Sequence, residues 1–229
     1  CCIRTHSWTD RANTTSGFSI VKYTGAGGSP TFGHGLGVTP ELIIIKGITE
    51  AQGWYVFGDV IGASGSGDFL KLDSNAGEVS GSASSNVTWS SSTIGLDTNT
   101  GINRSTEDYI CYAFHSVDGF SKIGKYTGNN SANGTFVYLG FRPSFIMVKS
   151  LSATTDWVMM DTARNTTNLS DTALYANETD TESTVASVND VDILSNGFKW
   201  RNNTGFVNDP QTYIYMAFAE QPFKYANAR

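Results

Sequence analysis

An all-β fold is the class this sequence predicts, from its composition, its lack of helical periodicity and a phrase it contains twice. Charged residues are only 16% of the 229-residue chain, against roughly 25% in an ordinary globular protein. Gly, Ser, Thr and Asn take their place, and Gly and Asn tolerate the left-handed backbone that tight turns between short strands need. No stretch holds apolar residues at i, i+3 and i+4 for three turns, so no long amphipathic helix is expected. The repeated phrase is LGVTPELIIIK at 36–46, which returns as LGFRPSFIMVK at 139–149 with five of eleven positions identical.

Other landmarks repeat at nearly the same distance. KYTG at Lys22–Gly25 returns at Lys125–Gly128, and Trp54 returns as Trp157, each 103 residues on. GFS at Gly17–Ser19 returns at Gly119–Ser121, and YICYAF at Tyr109–Phe114 returns as YIYMAF at Tyr213–Phe218. Five landmarks in one order predict a tandem duplication of a module of about 100 residues. The expected organisation is a linker over 1–16, a first module over 17–118 and a second over 119–229.

Within each module the elements follow in order. FSIVKYTG alternates apolar and polar residues before a Gly turn, the mark of a half-buried strand. LIIIK and FIMVK are short, continuous apolar blocks that follow Pro40 and Pro143; a proline sets an extended entry, and a strand covered on both faces looks like this. WYVF and WVMM come about eight residues later, at hairpin spacing. YICYAF and YIYMAF close each module as a second central strand. The Gly/Ser/Asn/Thr-rich intervals 64–92 and 165–189 are expected to be loops carrying short edge strands. Each module is expected to be a sandwich of two antiparallel sheets with a jelly-roll-like path.

Taken with DYICYAFHSVDGFSKIGKYTG, FVYLGFRPSFIMVKS, DTARN, LSNGFK and the closing YIYMAFAEQPFKYANAR, these motifs resemble a family of tailed-phage virion proteins. The family is abundant in marine phages and is described as tail-fibre-like or structural. The similarity spans nearly all of 17–229. In that family the chain normally ends at the phrase matching Pro222–Arg229 and often carries more sequence upstream. The resemblance therefore implies a natural C-terminus here, and a longer polypeptide ahead of a first residue that is Cys and not Met. It implies a place on a virion and assigns no site. The first copy has FGDVIG where the second has MMDTAR, so a ligand site on that corner is not expected in both.

The net charge of −6 argues against a nucleic-acid partner, because neutralising phosphates needs a basic face. No run approaches 18 apolar residues, so no membrane insertion is expected. No metal or cofactor is expected either. Cys1, Cys2 and His6 lack a fourth ligand at zinc spacing, and Asn189, Asp190 and Asp192 do not fit the twelve-residue calcium loop. Cys111 reads as a small buried hydrophobe. ETDTE at Glu178–Glu182 is the sharpest catalytic motif, since alternating carboxylates on a strand would share a face as a retaining glycosidase requires. Its neighbours offer no apolar face, so a solvated loop is expected there, and no enzyme. His34 in GHGLG reads as a structural loop residue, Asp161 and Arg164 as a local ion pair, and Trp54 with Trp157 as a shared core position. The residues that would offer a sugar a flat face or an amide are Trp89, Tyr175, Trp200 and Asn177, although packing is the commoner fate of a Trp.

The functional expectation is a non-enzymatic virion surface protein, the C-terminal part of a tail fibre or another projecting fibre. It would form a homotrimer, contact other virion proteins, and meet a host-surface glycan or receptor through the loops at 64–92 and 165–189. The alternatives are a purely architectural capsid or tail protein and a glycan depolymerase.

Overall fold

The computed structural model describes residues 8–81, 86–182, 189–203 and 207–221. Cys1, Cys2, His6 and the closing phrase at 222–229 lie outside them. The described residues form strands, turns and one four-residue helix, α1 at Thr100–Asn103. Contacts divide the chain into two compact units, one of Cys1–Leu72 with Glu78–His115 and the other of Asp73–Gly77 with Ser116–Arg229.

In the first unit β1 (Trp8–Asn13), β2 (Phe18–Thr24), β9 (Asp108–Phe114), β4 (Leu42–Gly47), β5 (Trp54–Phe57) and β6 (Leu70–Lys71) form one antiparallel sheet in that spatial order. A smaller sheet is β3 (Thr31–Gly33), β8 (Thr93–Gly95) and β7 (Thr88–Trp89). The core lies between them: Val21, Tyr23, Ile43, Ile45, Tyr109 and Cys111 from the large sheet meet Phe32, Trp89 and Ile94 from the small one. Alternation along β2 turns Val21 and Tyr23 inward. Along β4 the apolar block is buried on both faces, with Leu42 and Ile44 as covered as Ile43 and Ile45, which is why no polar residue interrupts it.

The second unit repeats this order. β10 (Ser121–Thr127), β17 (Thr212–Ala219), β12 (Pro143–Ser150), β13 (Val158–Asp161) and β14 (Leu174–Tyr175) form its large sheet; β11 (Phe136–Tyr138), β16 (Gly197–Trp200) and β15 (Val191–Leu194) form its small one. Tyr126, Ile146, Val148, Met160 and Tyr213 pack against Val137, Ile193, Phe198 and Trp200 between the two.

The path is jelly-roll-like only in its outer turns. In each unit the strand bearing KYT pairs with the last strand, and the next strand pairs with the last but one. The inner strands close locally, as the meander β4–β5–β6 and the hairpin β7–β8, or β12–β13–β14 and β15–β16. Pairing strands that are neighbours in the chain keeps the closed loops small and so the least costly in chain entropy.

One feature differs from the sequence expectation. Residues 8–13 are not linker but an edge strand held in register against β2. The intervals 64–92 and 165–189 carry the expected short strands, β6, β7 and β14, and their described residues include inward anchors: Leu70, Val87 and Ala173 are at most 1% exposed.

Matching details recur in the two units. Tyr23 donates its hydroxyl to the Ile102 carbonyl at 2.6 Å, and Tyr126 does the same to Val207 at 2.5 Å. Tyr109 accepts from the Arg104 backbone N–H and Tyr213 from that of Asp209, both at 3.0 Å. Gly25 and Gly128 allow close approach there, since a Cβ on either would sit 2.1 Å from the Arg104 or Asp209 carbonyl oxygen.

Candidate functional site

Most residues singled out by the sequence serve the cores. Trp89 is 8% exposed and Trp200 fully buried, so neither offers a face to a ligand. The Trp89 indole donates to Asp59 at 3.0 Å, and its backbone N–H bonds the Ser64 hydroxyl at 2.8 Å, which ties down the Gly/Ser-rich turn. Tyr175 is half-buried against the second core and accepts from Asn189 Nδ2 at 2.9 Å. Asn177 accepts from the Trp157 backbone N–H and donates to Asp156, each at 2.8 Å. Trp157 is 1% exposed, whereas Trp54 is half-buried and stacks on Tyr112. Arg164 and Asp161 form the expected local pair, Nε to Oδ2 2.6 Å.

The ETDTE carboxylates are exposed and lie on no strand; Glu182 sits 3.4 Å from Arg164. Cys111 is fully buried, and burial pushes its thiol pKa up. Lys149 is also fully buried, its amine donating to the carbonyls of Asn75, Ser150 and Ala153 at 3.1–3.3 Å. Burial pushes its pKa down to about 8, against a weaker upward pull from Asp156.

The surface with free chemistry is elsewhere, on β11. Val137 points inward at 5% exposure, while Phe136 and Tyr138 stand outward at 43% and 59%. Two residues apart on a strand, their rings share one face roughly 7 Å apart. Across the ladder Phe136 faces Lys199 and Tyr138 faces Gly197, with Asp192 and Leu194 next on β15. A Cβ on Gly197 would lie 2.0 Å from the Val137 carbonyl oxygen and 3.2 Å from the Phe136 ring, so a side chain there would disturb the shelf.

Cations border the two rings. The Lys122 amine lies 5.4 Å from the centre of the Tyr138 ring and donates to the Tyr138 carbonyl at 2.9 Å. The Lys199 amine donates to Asn133 Oδ1 at 2.6 Å, and Arg201 lies 3.4 Å from Asp192. A Cβ on Gly140 would come 3.6 Å from the Tyr138 hydroxyl. Gly140 also lines a cleft of about 290 Å³ with Phe141, Arg142, Ser195 and Glu220.

The chain matches one family, Domain of unknown function (DUF7483), over residues 6–222. It belongs to that family. No curated protein and no solved structure matches it.

Within this DUF7483 chain the shelf is confined to the second unit. The strand in the same place of the first unit is β3, whose inward Phe32 corresponds to Val137. Its outward residues are Thr31 and Gly33 where the second unit has Phe136 and Tyr138, and Gly95 stands opposite Thr31 where Lys199 stands opposite Phe136. The sequence hid the shelf because FVYL is apolar at every position and shows no alternation. The readable signal was the difference between the copies: rings in one where the other has small residues. Chemically, the shelf offers two flat apolar faces flanked by ammonium donors, which suits stacking against the C–H face of a sugar with hydrogen bonds to its substituents.

Proposed function

We propose that this chain is a non-enzymatic recognition module on the surface of a tailed-phage virion, and that it binds a host-surface glycan through the β11 shelf. The motif resemblance suggests the setting, part of a tail fibre or other projecting fibre among other virion proteins, and a homotrimer is proposed because closed symmetry would give the avidity a weak site needs. One observation carries the binding reading. Phe136 and Tyr138 hold exposed rings where the first unit, with the same strand order, has Thr31 and Gly33. The fold does not need them for packing, and adjacent exposed rings that packing does not require mark an interaction surface. Closed symmetry would set several shelves side by side, so that weak single sites add to firm attachment.

The test is a virion carrying Phe136→Ala with Tyr138→Ala. Assembly should be normal, because both side chains are exposed, and adsorption to host cells should fall by at least about tenfold, the scale of losing one stacked ring. Normal assembly with undiminished adsorption would contradict the recognition reading and favour the architectural one.

A further inference from the structure

We infer that the β11 shelf takes a sugar ring bearing an anionic group, a carboxylate or a sulfate, in preference to a neutral sugar. This rests on the glycan reading above and adds the ligand's charge. The whole chain carries a net charge of −6, yet the border of the shelf has the opposite balance. Lys122, Lys199 and Arg201 stand there against Asp192 and Asp190, the latter paired through its backbone carbonyl with the Arg201 N–H.

Placement matters more than number. Lys199 is directly across the ladder from Phe136, and the Lys122 amine is 5.4 Å from the Tyr138 ring centre. The Lys122 amine lies over one face of the Tyr138 ring, so a sugar stacked on its other face, or on Phe136 across from Lys199, has a lysine as its neighbour. Among the described residues each amine has one protein acceptor, the Tyr138 carbonyl for Lys122 and Asn133 for Lys199. An ammonium has three N–H donors, so each keeps others for a ligand. Asp192 is the carboxylate nearest in register to Lys199, but Arg201 already lies 3.4 Å from it. The corresponding strands of the first unit have Gly95 in place of Lys199 as well as Thr31 and Gly33 in place of the rings. Rings and cation thus occur together in one unit and are missing together in the other.

The experiment is titration calorimetry of the full chain with four probes of similar length. These are tetragalacturonate, its carboxyl-reduced neutral counterpart, a carrageenan tetrasaccharide, which carries sulfate and no carboxylate, and oligo-dT. At low salt one or both acidic sugars should bind about tenfold more tightly than the reduced sugar, with the difference shrinking as salt screens the charges. The two acidic arms separate carboxylate from sulfate. Lys122→Gln with Lys199→Gln should remove the preference and leave the residual affinity, while Phe136→Ala with Tyr138→Ala should remove both. Equal affinity for acidic and reduced sugars would overturn the inference and leave glycan recognition standing. Oligo-dT binding as tight as the acidic sugars would overturn it in favour of a base-stacking polyanion site. Binding of none of the sugars would also overturn it, and the adsorption experiment would then decide the broader reading by itself.

Discussion

Asn103 and Asn208 each hold together buried backbone that no strand satisfies. Asn103 donates to the carbonyls of Gly28 and Asp97, both at 2.6 Å, and accepts from the Ala26 N–H at 2.8 Å. Asn208 donates to Asn202 and Ser131 at 2.7 and 3.0 Å and accepts from Asn129 at 3.2 Å. Both are fully buried. Truncation to Ala strands several groups at once, so each variant should lose about 2–4 kcal/mol in urea unfolding. A loss within the roughly 0.5 kcal/mol of a surface change would contradict this role. His34 gives a pH dependence with a definite sign. It is buried, its Nε2 donating to the Ser90 carbonyl at 3.1 Å and its Nδ1 accepting from the Leu36 N–H at 3.3 Å. Burial holds its pKa below the ordinary 6.5, against a smaller opposing effect of the Ser90 carbonyl. The unfolded chain therefore takes up this proton first as pH falls, and folding stability should drop below about pH 6.5. A proton on Nδ1 would also face the Leu36 N–H donor. Melting curves from pH 8 to 5 should show the decline, and His34→Gln should flatten it; an unchanged slope in the variant would assign the decline to other groups.

Strands show what the sequence could and could not reveal. β2, β4, β9, β12 and β17 were legible because alternation or an unbroken apolar block marks a strand whose burial is decided by its own residues. β1 was not, because after Trp8 its segment TDRAN shows no apolar alternation and its place is fixed by backbone pairing with β2. The polar intervals were expected to carry short edge strands and do, as β6, β7 and β14, but their positions were not legible, because a few inward residues such as Leu70 and Trp89 anchor stretches that otherwise look like loop. β11 was not assigned, because FVYL is apolar at every position and no alternation marks its exposed face. We propose tandem duplication as the origin of the two units, and the equivalence of their parts is testable at a turn. Gly25→Ala and Gly128→Ala would each drive a Cβ to 2.1 Å from a backbone carbonyl oxygen. Backbone cannot yield as a side-chain tip can, so each should cost about 2–3 kcal/mol in denaturant unfolding. A large cost at one position with none at the other would contradict the structural equivalence.

For the whole molecule, the charge and the shelf pull in different directions, and distance decides between them. The net charge of −6 is spread over the chain, and at physiological salt a charge beyond about 8 Å is largely screened. A ligand on β11 therefore meets Lys122 and Lys199 more strongly than the acidic remainder. The site was only partly legible in the sequence. The sequence suggested aromatic faces with polar neighbours, but the Trp89 and Trp200 it pointed to are packed in the two cores, whereas the proposed shelf lies on β11. The central claim is that glycans are bound at Phe136 and Tyr138, and the most direct measurement is a glycan array read with the full chain and with its Phe136→Ala, Tyr138→Ala variant. The account predicts a discrete set of bound glycans that disappears in the variant while its melting temperature is unchanged. Identical binding by the two proteins, or binding by neither, would contradict it.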